Sequence, residues 1–390
     1  MALSINKRIQ NLVASSTLTI TARAKELKAQ GQDVVNFAAG EPDFDTPEPI
    51  KQAAIRAIHE GLTKYTPSIG TPALREAIAD KFKKDNHINY TPAQIVVSCG
   101  AKHSLYNIIQ VLADDGDEVL IPSPYWVSYP EMVKCAGATP VFIPTTADTD
   151  FKITPTHLRG ALSPKTRVMI LNSPSNPTGA LYTRTELEAL AEIIVERDLY
   201  VISDEIYEKL IYDSDEYTSL ASLGKEIYDR TITVNGVSKT YAMTGWRIGY
   251  CAGAAEVMGY IKKLQDHSTS NPSSISQMAA LAALQAPVEV VVDMQKEFKQ
   301  RRDLLMKGID SIPQLSYIRP AGAFYLFCDV SRLGDSFAFA QDILNEKYVA
   351  MIPGEGFGAP GFVRMSFATS QAKIQEGVKR IAQWIQEAHR

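Results

Sequence analysis

Five short segments carry side chains that could do chemistry together: Ser98-Cys99-Gly100-Ala101-Lys102, Asn172-Ser173-Pro174-Ser175-Asn176-Pro177-Thr178-Gly179, Ser203-Asp204-Glu205-Ile206-Tyr207, Asn235-Gly236-Val237-Ser238-Lys239-Thr240 and Thr244-Gly245-Trp246-Arg247-Ile248-Gly249-Tyr250. Lys239 follows an apolar run, where desolvation lowers the pKa of an amine and makes it nucleophilic. Asp204 closes another apolar run, a costly place for an acid unless a cation or hydrogen bonds meet it. It could cap a following helix or neutralise a positively charged heterocycle. The small residues from Ser98 to Lys102 open a helix, where backbone N–H groups and the helix dipole favour an anion. A plain strand-to-helix turn accounts for them equally well. Two prolines stiffen the loop after Asn172, and the Asn176–Pro177 bond is a candidate for the cis form. That loop reads either as a turn or as an amide directed at a ligand. Arg247 could supply a fixed charge for a phosphate.

Most of these segments follow short β-branched runs. The runs are Gln94–Val97, Glu118–Ile121, Thr139–Ile143, Arg167–Leu171, Tyr200–Ile202 and Thr231–Val234. Between several of them lie amphipathic stretches. One begins at Thr183 with Glu186 three residues on, a capping box, and places Leu187, Leu190, Ala191 and Ile194 on one face. Apolar strands alternating with such helices indicate an α/β fold with a mostly parallel sheet covered on both sides. Ligands of these folds bind beyond the carboxyl ends of the strands. After Pro287 a charged helix through Glu297–Arg302 reads as a connector into a second domain. The tail then offers strands at Gly322–Phe327 and Phe362–Phe367 and an amphipathic helix through Trp384. The first 45 residues lack the sheet rhythm and read as an arm that packs elsewhere.

Composition narrows the field. The chain has 390 residues, enough for two or three domains, with 45% hydrophobic and 22% charged residues. A formal charge of −4 with no basic run argues against a nucleic-acid surface. No window approaches a membrane span, and Met1–Arg8 lacks the apolar core of a signal peptide. Cys99, Cys135, Cys251 and Cys328 are scattered without a CxxC pair, so they read as buried free thiols in a reducing cytoplasm. The six histidines are solitary, which gives little support to a zinc enzyme or a serine-triad hydrolase. Gly356-Phe357-Gly358-Ala359-Pro360-Gly361 matches a bare GxGxxG, but a strand-like run follows it where a dinucleotide fingerprint needs a helix.

Taken together, and with Asn36-Phe37-Ala38-Ala39-Gly40-Glu41-Pro42-Asp43-Phe44 at one end and Arg364 at the other, these segments resemble the class I aminotransferases. These are fold-type-I enzymes dependent on pyridoxal 5′-phosphate (PLP), and the resemblance is closest to their bacterial aspartate aminotransferase subgroup. It implies a large domain (47–290) with a mostly parallel mixed sheet flanked by helices. A smaller α/β domain (291–390) is joined by an N-terminal arm and part of the small domain (1–46). It also implies roles. Lys239 forms a Schiff base with PLP and shuttles a proton at the substrate Cα. Asp204 pairs with the pyridine nitrogen, keeping the ring an electron sink. Tyr207 and Asn176 hydrogen-bond the phenolic oxygen, and Trp126 stacks on the ring. Gly100, Ala101, Lys102, Ser238 and Arg247 serve the phosphate. Tyr65 reaches the phosphate of a partner subunit, which makes the enzyme a homodimer. Arg364 grips the substrate α-carboxylate, with Gly40 in the loop that closes over it, and Trp126 and Asn176 also face the substrate. Lys102 binds a second carboxylate, helped by hydroxyls among Ser15, Ser16 and Thr17. The family usually carries a hydroxyl residue where Gly100 and Gly236 stand here. The implied activity is exchange of an amino group between L-aspartate and 2-oxoglutarate by a ping-pong route, in the cytoplasm. The alternatives are a relative using aromatic, alanine or prephenate-like substrates, a PLP lyase of the same fold, and a non-enzymatic regulator. The last needs an added DNA-binding module, for which a resemblance beginning by residue 36 leaves no room.

Overall fold

A computed structural model of the chain describes residues 5–13, 16–214 and 216–388, with the side chains of 16–19 left out. In chain order its strands are β1 (Val35–Asn36), β2 (Ile95–Ser98), β3 (Glu118–Ser123), β4 (Thr139–Pro144), β5 (Thr166–Asn172), β6 (Tyr200–Asp204) and β7 (Thr231–Gly236). They continue as β8 (Gly249–Ala252), β9 (Ser316–Tyr317), β10 (Tyr325–Asp329), β11 (Val349–Ala350), β12 (Ile352–Pro353) and β13 (Phe362–Ser366). Seven of them form one sheet in the order β2-β8-β7-β6-β5-β3-β4. All its pairings are parallel except those of β8, which runs against both neighbours.

The strand sequences explain why both faces of this sheet are covered. In β3, Val119 and Ile121 pack on one side with Leu105, Ile108 and Val133, while Leu120 packs on the other with Leu187 and Leu190. In β5, Val168 and Ile170 join the first group, Met169 and Leu171 the second. Apolar residues at consecutive positions therefore serve two helical layers, as a buried parallel sheet requires. The helix Arg184–Glu196 starts at the expected box: Thr183 accepts from the Glu186 N–H, and the Glu186 side chain accepts from the Thr183 N–H. Its buried residues include Leu187, Leu190, Ala191 and Ile194.

The remaining strands form two smaller sheets. One is antiparallel, in the order β12-β13-β10-β9; the other pairs β1 with β11, so residues 35–36 lie against residues 349–350. An aromatic core with Phe37, Phe298, Phe324 and Phe367 fills this part. The helix Glu289–Ile309 is continuous, and the expected division after residue 290 falls in its first turn. Within the expected arm, Ser16–Ala29 is a helix, and its Ile20, Ala24 and Leu27 pack with Ile352 and Phe357.

Local details bear on several of these expectations, and the cysteines differ from theirs. Cys251 and Cys328 are buried, but Cys99 and Cys135 are only half-buried, because Cys99 stands at a strand-to-helix turn and Cys135 near a helix end. The Asn176–Pro177 bond is cis, as are Ser123–Pro124 and Ser173–Pro174. The GxGxxG segment forms a short 3₁₀ turn, Gly354–Phe357, followed by β13. Among the described residues no single helix is long and apolar enough to cross a membrane.

Candidate active site

Strands β2, β5, β6 and β7 run the same way, so the segments after them emerge at one edge of the main sheet. Across that edge lies β13 of the small antiparallel sheet, carrying Arg364. A cavity of about 430 Å³ opens between them. Eleven of the thirteen residues expected at a site line it: Gly40, Ala101, Lys102, Trp126, Asn176, Asp204, Tyr207, Ser238, Lys239, Arg247 and Arg364. Gly100 is the N-cap of the helix Ala101–Leu112, just behind that wall. Tyr65 is elsewhere, 91% exposed and outside the cavity. Ser15 lies outside the described residues, as do the side chains of Ser16 and Thr17.

Lys239 sits in the floor and donates to the carbonyl of Gly40 at 2.7 Å. Burial brings its ammonium down to about 8; the nearby Arg364 and Arg247 push the same way, against Glu41 and Asp204. Asp204 ends β6 fully enclosed. Burial pushes its carboxyl up to about 6, opposed by the Tyr129 hydroxyl, the Ile206 N–H and the charge of Lys239. Tyr129 donates to its Oδ2 at 2.7 Å and packs edge-on against Trp126, ring centroids 5.3 Å apart.

Arg364 is buried and held on three sides. Its Nη1 donates to Asn176 Oδ1 at 2.9 Å, its Nη2 to the Ala38 carbonyl at 3.1 Å, and the guanidinium lies 4.2 Å from the Tyr325 ring centroid. Its Nε has no partner, a buried donor that a carboxylate would satisfy. Asn176 is itself positioned by Asn172, whose Oδ1 accepts the Asn176 N–H at 2.8 Å. The Tyr207 hydroxyl shares a hydrogen bond of 3.0 Å with that of Tyr325.

Helix Ala101–Leu112 points its first N–H groups at the cavity with no side-chain cap at Gly100. Arg247 follows the turn Thr244–Trp246 at φ +56° and donates to the Thr244 carbonyl at 2.7 Å, making no ion pair among the described residues. Packing explains the glycines at 100 and 236. A Cβ on Gly100, already at φ +91°, would come within 2.3 Å of the Arg247 guanidinium; one on Gly236 would meet Gly249 Cα at 3.0 Å. The Lys102 ammonium lies 4.7 Å from the Trp126 ring centroid, and burial, then Arg247, lowers its pKa.

Together these groups form an uncapped helix start beside an arginine that has no ion pair among the described residues, a buried acid, an enclosed amine and a buried guanidinium with an unmet donor. Residues 32–381 match the family Aminotransferase class I and II. The chain belongs to that family. The aminotransferase is 50% identical over 384 residues to the aspartate aminotransferase of Bacillus sp. (strain YM-2), covering 97% of this chain and 98% of the relative. It is 46% identical over 379 residues to the aspartate/prephenate aminotransferase of Cereibacter sphaeroides, covering 94% and 95%. Its fold superposes with a TM-score of 0.95 on a structure described as the aspartate aminotransferase from Thermus thermophilus with maleate. That pair is 43% identical over 98% of this chain and 99% of the other.

Tyr129 and Tyr325 escaped sequence reading as contributors to the aminotransferase site, and so did the tasks of Asn172 and of the Glu41–Thr244 hydrogen bond of 2.7 Å. Tyr129 stands in the first turn of the helix Ser128–Ala136, three residues after Trp126, which lies outside that helix. Tyr325 and Glu41 act through tertiary contacts that no local spacing announces.

Proposed function

We propose that the chain is a PLP-dependent aspartate aminotransferase that exchanges an amino group between L-aspartate and 2-oxoglutarate in the cytoplasm, as a homodimer. The observation that carries this reading is one cavity holding the cations Lys102, Lys239, Arg247 and Arg364 with the single buried acid Asp204 at a strand end. The residues fit the cofactor. The uncapped helix start at Gly100–Lys102 and Arg247 would hold its phosphate, and Asp204 its pyridinium, which would restore the charge that burial disfavours. Lys239 would bond it covalently, while Tyr207 and Asn176 would serve its phenolic oxygen and Trp126 its ring. Bound PLP supplies a sink for the electron pair left at the substrate Cα and carries the amino group between half-reactions.

The protein's own groups do the rest. Arg364 binds the α-carboxylate through a fork that Asn176, Ala38 and Tyr325 hold rigid, and this orients Cα before any proton moves. Lys239, with its amine pKa near 8, takes the Cα proton and returns it, work typically worth about 10²–10⁴-fold in rate. Lys102 meets the second carboxylate. The Thermus neighbour's maleate is likewise a dicarboxylate. Lys102→Ala tests this assignment: kcat/KM for aspartate should fall at least about tenfold more than that for alanine. Equal losses on both would remove the dicarboxylate role.

A second reading has support from the Cereibacter relative, whose name adds prephenate to aspartate. Amino transfer to prephenate by the purified enzyme, assayed beside 2-oxoglutarate, decides whether this chain shares that range.

A further inference from the structure

Two charged side chains in the cavity wall have no task in this reading, Glu41 and Lys25. Glu41 is engaged by the Thr244 hydroxyl. Lys25 is exposed and makes no hydrogen bond or ion pair among the described residues, although it faces a cavity built for anions. It stands one helical turn after Thr21, another wall residue, on the helix Ser16–Ala29. The neighbouring Ala24 and Leu27 are buried against Ile352 and Phe357, which fixes the face of the helix that Lys25 shares with Thr21.

We propose that Lys25 is a second cation for the distal carboxylate of dicarboxylic substrates, acting with Lys102; this rests on the aminotransferase reading above. The anionic groups of the cofactor and the α-carboxylate already have partners in Arg247, the helix start at Ala101 and Arg364. Among the cations assigned so far the distal carboxylate has only Lys102, whose ammonium is confined by its seat over the Trp126 ring. Lys25 brings an ammonium on a flexible four-carbon stem. One confined and one adaptable cation can serve carboxylates at two distances from Cα. A ping-pong enzyme handling four- and five-carbon acids in one site has that requirement. The two lysines also ride on different parts of the fold. Lys102 opens a helix on the main sheet, whereas the helix of Lys25 packs on the smaller sheets, one of which carries Arg364. A substrate held by both would therefore draw the walls together, and a monocarboxylic one would leave Lys25 in water.

The test uses the holoenzyme and its Lys25→Ala and Lys25→Arg variants, with aspartate, 2-oxoglutarate and alanine, at low and moderate salt. In Lys25→Ala the KM for aspartate and for 2-oxoglutarate should rise about three- to tenfold with little change in kcat, and the loss for alanine should be much smaller. The salt dependence of the aspartate KM should weaken, because the variant lacks one exposed cation whose attraction to the substrate is screened by salt. Lys25→Arg should recover most of the loss. An unaltered aspartate KM, equal losses for aspartate and alanine, or weakened retention of the cofactor would each overturn the assignment of Lys25. If the wild-type enzyme shows no preference for aspartate over alanine, the dicarboxylate reading itself fails, and Lys25 with it.

Discussion

Asp204 is held at a cost that the fold pays and the reaction uses. Its carboxyl is wholly enclosed, and burial raises it from 3.8 to about 6 even though Tyr129 and the Ile206 N–H donate to it. The folded protein thus keeps the proton up to about pH 6, while the unfolded chain releases it near 3.8. Between those values unfolding releases a proton, so stability falls as pH rises, and above about 6 the full penalty, on the order of 3 kcal/mol, is present. Asp204→Asn in the ligand-free protein should therefore melt higher than wild type at pH 8, with the advantage fading toward pH 4. The same variant should hold PLP poorly and lose most activity, the usual opposition between stability and a built site. Thermal melts across pH, beside cofactor titrations, check both. Lys239, Asp204 and Arg247 were legible because charged residues at strand ends are conspicuous. Arg364 came only through the family resemblance, and Tyr129 was missed because its role exists only once tertiary packing brings its hydroxyl to Asp204.

At the scale of elements, the long strands were legible and the short ones were not. The runs read at 118–121, 167–171 and 231–234 became β3, β5 and β7 with two residues added to each. β1, β9, β11 and β12 have two residues each, too few to show a period, and exist because neighbours supply their pairing. The Gly249–Ala252 strand was read as part of the Arg247 segment. The close approach of the helix start that follows β2 explains Gly249, where a Cβ would lie 2.0 Å from the Ala101 nitrogen. The capping box at Thr183 was read from spacing alone, and it lies away from the cavity lining. Thr183→Ala should destabilise the protein by about 1 kcal/mol, seen as an earlier denaturant midpoint, with kcat/KM unaltered. A change in kcat without a change in stability would contradict the purely structural role.

For the whole molecule, the mild overall acidity hid the feature that matters, a cavity with five cations, Lys25 among them, against Glu41 and Asp204. Tyr65 belongs to this scale as well: it is 91% exposed beside the exposed apolar residues Ile58 and Leu62, and the proposed dimer gives it a partner's phosphate to reach. Mixing Lys239→Ala chains with Tyr65→Ala chains should then raise activity above the mean of the two parents. Random pairing rebuilds about a quarter of the sites with both residues intact, since each such site draws Lys239 from one chain and Tyr65 from the other. Activity at the parental mean after exchange would mean that Tyr65 serves no neighbouring site. The central claim, that Lys239 holds PLP and uses it on aspartate, has a more direct test in absorbance. Adding PLP to the ligand-free protein should give a near-ultraviolet or visible band of bound cofactor, which shifts to the amine form when aspartate alone is added and is missing in Lys239→Ala. A wild-type protein that forms no such band, or a Lys239→Ala protein that forms the same one, would contradict it.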